Sequence, residues 1–147
     1  KYYGFVQSLI GLIAVILVML PNAGYLLYTP PGDALSANEA SYWLCNLLKN
    51  IGRFGMMIAL CILINRTAKP IGRRFLVISA ILLLSYSVLW IAYFTGKYNG
   101  LSLVGMAILP SLFFVMIGWS QKNRIAVIFA TLFAVTHIAI TGSNFLF

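Results

Sequence analysis

Carboxylates are nearly absent from this chain. Its 147 residues hold two acidic side chains, Asp33 and Glu39, against ten lysines and arginines and one histidine, His137. Charged residues of both signs make up 8% of the sequence, where soluble domains carry about 25%. So little charge cannot coat a water-soluble core. Disorder is excluded as well, because 62% of the residues are hydrophobic and disordered chains are poor in them. The scarcity of acids removes the paired carboxylates on which much acid–base catalysis rests. Two cysteines and one histidine give no metal-ligand spacing. Cys45 and Cys61 stand 16 positions apart in one predicted helix, about 24 Å along its axis. A disulfide needs Cα atoms within about 7 Å, so they do not bridge each other. No GxSxG, HExxH or P-loop pattern occurs. No cofactor and no metal are implied.

What remains is an all-α, polytopic transmembrane bundle. Five apolar runs stand out, at about 4–20, 42–64, 75–94, 101–119 and 125–141. Each is close to the ~20 residues with which a helix crosses a bilayer. Lipid cannot satisfy free backbone groups, so uninterrupted apolar runs read as helices, and they lack the alternation of barrel strands. The first run reads as a retained span rather than a removable signal peptide. With no linker, repeat or low-complexity stretch, residues 1–147 read as one integral membrane domain.

The net charge of +8 would suggest nucleic acid in a soluble protein. Here it reads as topology. Lys1, Arg66, Lys69, Arg73, Arg74, Lys122 and Arg124 fall on one side of a five-span arrangement, and Lys97 alone falls on the other. The positive-inside rule then places the N-terminus in the cytoplasm and the C-terminus outside. Short loops and this bias fit a bacterial plasma membrane. Membrane lipids are the expected surroundings, and no nucleic-acid partner is expected. The longest loop, 21–41, is external and holds both acids. Within it, TPPGD predicts a rigid turn. Ser36 and Glu39 fit a capping box, which would start the second helix near Ala37. Short loops elsewhere predict antiparallel neighbours. Small residues at helical spacing mark packing seams: Gly4, Ser8, Gly11 and Ala14; Gly55 and Ala59; Ala126, Ala130 and Ala134. Pro110 predicts a kink in the fourth span.

The second span raises a sharper question. Its stretch WLCNLLKNIGRFGMM, from Trp43 to Met57, carries Lys49 and Arg53 with Asn46 and Asn50. The uncharged remainder, 54–64, would be about 16 Å of helix, half of a ~30 Å hydrocarbon core. The polar stretch must therefore cross. With Trp43 at the outer interface, Lys49 lies about 9 Å deep and Arg53 about 15 Å. Glu39, Asn46, Lys49, Asn50 and Arg53 recur at helical spacing and form one polar stripe. A charge near the bilayer centre costs ~2.5–3.5 kcal/mol, and such residues face the bundle interior or a wet cavity. The plainer alternative is that Lys49 snorkels to headgroups while Arg53 bonds backbone carbonyls. No acid lies inside a span to match these cations, so an anion from outside is the expected partner, and the arginine fork suits phosphate or carboxylate.

Tyr86 and His137 should lie at similar depth. A lone histidine on an apolar helix is more often one interhelical hydrogen bond than chemistry. The candidate ligand-binding set is Asn46, Lys49, Asn50, Arg53, Tyr86 and His137, with no catalytic residue assigned. The leading reading is binding or transport of an anionic or amphiphilic ligand: a lipid headgroup, carboxylate or phosphate. A transporter of this size would need a second copy or a partner chain. The alternative is an accessory, assembly or immunity-type subunit acting through helix contacts. An outer-face enzyme on a lipid-linked substrate, with His137 as base, is the weakest of the three because the residue kit is thin.

Overall fold

The computed structural model describes residues 3–5, 7–65 and 73–147. Lys1, Arg66 and Lys69 of the charge tally lie outside them. The fold is all-α, with five helices long and apolar enough to cross a membrane: α1 Leu9–Leu27, α2 Trp43–Ile62, α3 Arg73–Phe94, α4 Gly100–Ser120 and α5 Arg124–Phe145. Their outer faces expose large apolar side chains such as Ile16, Phe54, Leu84, Ile91, Ile128 and Val135. That is the inverse of a water-soluble surface and marks an integral membrane protein.

Polar residues set most helix starts. Ser8 caps α1 by accepting from the Gly11 amide at 3.1 Å. Asn99 and Ser102 form a reciprocal capping box on α4, and Asn123 accepts from the Ala126 amide at 3.0 Å to cap α5. Each side chain satisfies an amide that the helix itself leaves free.

The first span differs from the expected 4–20. Tyr3–Phe5 forms a short strand, β1, paired antiparallel with Leu63–Asn65, β2, so those two ends are not helical. At the other end α1 runs through Pro21 to Leu27. Proline removes a donor but is tolerated where neighbouring helices support the backbone. Asn22, which looks like a breaker, donates to the Val18 carbonyl at 3.0 Å and to the Tyr86 hydroxyl at 3.2 Å. The long loop is therefore 28–42 rather than 21–41. The capping box at Ser36 does not form. Ser36 bonds back to Asp33, its hydroxyl donating to the Asp33 carbonyl at 2.8 Å. Leu35–Ala37 makes only a single 3-10 turn, and α2 begins at Trp43 without a side-chain cap.

Packing follows the small residues. α2 lies along α5, α5 along α4, and α4 along α3, while α1 closes across α2, α4 and α3 with lighter contacts. Sequence neighbours therefore pair at α3/α4 and α4/α5, but the main partner of α2 is α5. Gly52 makes that seam possible. A Cβ there would sit 2.6 Å from the Phe133 amide nitrogen and 2.9 Å from its Cα. Ala126 and Ala130 are fully buried on α5. At the end of the bundle opposite loop 28–42, Asn123 donates to the carbonyls of Ala59 and Leu63, both at 2.9 Å. It thereby ties the end of α2 to the start of α5.

Candidate functional site

All five helices leave space between them for a cavity of about 270 Å³. This is at the small end of ligand sites. Lys49, Arg53 and Met56 reach it from α2 because positions four and three apart share a helix face. Tyr86 and Trp90 come from α3, Phe133 and His137 from α5, and Asn22 and Tyr25 from α1. The wall from α4 is apolar and includes Met106, Pro110 and Phe114. Both cations of the second span therefore face the bundle interior.

Neither cation is matched. Among the described residues Lys49 and Arg53 have no hydrogen-bond or ion-pair partner, and no carboxylate of these residues lines the cavity. Arg53 Nε is buried without a partner, and so is His137 Nδ1. The guanidinium carbon of Arg53 lies 4.8 Å from the Phe54 ring centroid, a cation–π contact that leaves its N–H donors unused. The His137 ring stacks on Phe133 at 4.9 Å between centroids. Trp90 Nε1 is also buried on this wall, beside the Tyr86 hydroxyl but without a hydrogen bond of normal geometry. Buried polar groups are normally satisfied. Of the four unsatisfied buried side-chain atoms among the described residues, only Ser79 Oγ lies off this cavity.

One end of the cavity is roofed by loop 28–42, which contributes Leu35 and Asn38 to the lining. Two latches hold the roof. On one side Asp33 Oδ1 accepts from the Tyr25 hydroxyl at 2.6 Å and the Tyr93 hydroxyl at 2.9 Å. The Tyr93 oxygen in turn accepts from the Leu35 amide at 3.1 Å, and the Tyr98 hydroxyl donates to the Gly32 carbonyl. On the other side Asn38 donates to the Thr141 hydroxyl at 3.0 Å, and Asn144 donates to Asn38 and to the Glu39 carbonyl. The loop is thereby laced to α1, α3 and α5. The hydrogen bond from Tyr25 holds the Asp33 carboxyl below the usual carboxylate range. Partial burial opposes this, and Tyr93 and Ser36 reinforce it.

Four of the six sequence candidates, Lys49, Arg53, Tyr86 and His137, meet at this cavity. Asn46 and Asn50 do not line it. Asn46 exchanges two 3.3 Å hydrogen bonds with the backbone of Ala40 and so anchors the entry to α2. Tyr25, Trp90 and Asn38 were not singled out from the sequence. Pro110, expected only as a kink, forms part of the wall. No family model, curated protein or solved structure matches the chain.

Proposed function

We propose that this integral membrane protein binds, and in one or more copies carries, a ligand whose negatively charged group enters the cavity between Lys49 and Arg53. One observation supports this above the rest: two cations line a partly open cavity between the helices with no acid on its described walls, and one presents a buried, unpartnered N–H. An uncompensated buried charge is costly. A bound anion would offset that cost and take the free donors. Tyr86 and His137 add hydrogen-bonding groups beside it. Loop 28–42 faces the outside in this reading and acts as the roof through which, or beside which, the ligand enters. The N-terminus is then cytoplasmic, as in a bacterial plasma membrane.

The test is thermal unfolding in detergent with added lipids. An anionic amphiphile should raise the melting temperature of the wild type by several degrees, since ligand at 100 times its Kd adds about 2.7 kcal/mol. Phosphatidylcholine should not. Arg53→Gln should lose the shift. Equal shifts from anionic and zwitterionic lipid, or a shift untouched by the substitution, would reject the site.

A further inference from the structure

The cavity has a charge of its own, and its size narrows the ligand. This inference rests on the anion-site reading above and goes one step further. Lys49 and Arg53 supply two positive charges, and no acid on the wall reduces them. Glu39, the carboxylate whose field reaches Lys49, is exposed in loop 28–42 and forms no ion pair with it. A single negative charge would leave one cation unmatched inside the bundle. The polar groups are also mostly donors. Arg53 Nε is unused, and Trp90 Nε1 has only the Tyr86 hydroxyl beside it. The Tyr86 oxygen already accepts from Asn22, which leaves its own proton to give. A ligand that fits both counts carries two negative charges and several acceptor oxygens on a small head.

We propose that the group recognised is a terminal phosphate dianion. A phosphomonoester carries about −1.5 to −2 charges at pH 7 with three acceptor oxygens. A carboxylate or a phosphodiester carries a single charge. The remaining walls, Met56, Met106, Phe114 and Phe133, are apolar and suit the first carbons beyond the phosphate. About 270 Å³ takes a headgroup and those atoms, not an acyl chain. Two sources share this chemistry: a lipid with a terminal phosphate, whose tail leaves between helices, and free phosphate.

The test compares dissociation constants on the wild type reconstituted in phosphatidylcholine nanodiscs. The panel is phosphatidic acid, phosphatidylglycerol, oleate and inorganic phosphate, all at pH 7.5. Phosphatidic acid should bind about tenfold or more tighter than phosphatidylglycerol and oleate. Lys49→Gln and Arg53→Gln should each bring it to the level of the monoanions. Inorganic phosphate that binds alone and displaces phosphatidic acid identifies the free ion as ligand; inert inorganic phosphate identifies the lipid. Phosphatidylglycerol or oleate binding as tightly as phosphatidic acid would overturn the dianion and leave the anion site standing. No binding by any member would overturn both. The wild-type panel decides the matter even where a substitution fails to fold.

Discussion

Replacing Arg53 with methionine removes a half-buried guanidinium whose Nε is unpartnered and which has no carboxylate beside it. The unliganded variant should be more stable than the wild type, by on the order of 1–3 kcal/mol, because an unmatched charge leaves the bundle and a flexible apolar side chain fills its place. Equilibrium unfolding of delipidated protein measures this, and a loss of stability would mean that Arg53 is a structural tie. Asp33 makes the opposite case, a charge that is well used. Its carboxyl is depressed by hydrogen bonds from Tyr25 and Tyr93. A depressed acid contributes stability above its unfolded value, about 3.9, and loses it as pH falls through the lower folded value. Loop 28–42 should therefore stay latched from neutral pH down to about 4 and loosen only below that. Asp33→Asn should speed hydrogen exchange at Leu35 and Ser36 at neutral pH while leaving α4 unchanged. Part of this was legible in the sequence. Helical spacing placed Lys49 and Arg53 on one face, but a stripe does not say what each member touches. Asn50 lies ~100° around the helix from Lys49 and misses the cavity, and Asn46 is consumed by Ala40.

Helix boundaries and partners depended on contacts that local pattern does not contain. Pro21 and Asn22 read as a loop, yet α1 continues because Asn22 finds Tyr86 on another helix. Ser36 read as a cap, yet Asp33 claims it first. The walls from α3 and α4 were hidden for a different reason. These helices are apolar nearly all round, so no face stands out as inward, and Trp90 and Phe114 could be assigned only once the helices were packed. The seam between α2 and α5 yields a direct prediction. Gly52→Leu should destabilise the bundle by about 1–3 kcal/mol or more, because its side chain meets Phe133 backbone rather than a movable side chain. Gly142→Ala on α5, where a Cβ meets nothing within 4 Å, should be close to neutral in the same unfolding assay.

Across the whole molecule, composition indicated a membrane protein, because so few charges leave no other surface to build, and the five apolar runs indicated five spans. The separation of charge persists in the fold. Arg73, Arg74, Lys122 and Arg124 cluster at the end where α2 finishes and α5 starts, and Asp33 and Glu39 lie at the other. In cells expressing a variant with Cys45 and Cys61 replaced by serine, a cysteine at Ser36 should react with a membrane-impermeant reagent from outside. One at Gln121 should react only after lysis. The reverse pattern would turn the bundle over and put the roofed cavity on the cytoplasmic side. Whether Lys49 and Arg53 together hold an anion is read out by native mass spectrometry of the protein purified gently from its own membrane, wild type beside Arg53→Gln. An anionic adduct should be retained by the wild type and lost from the variant. A wild type that is empty, or an adduct that the variant keeps, would contradict the anion site.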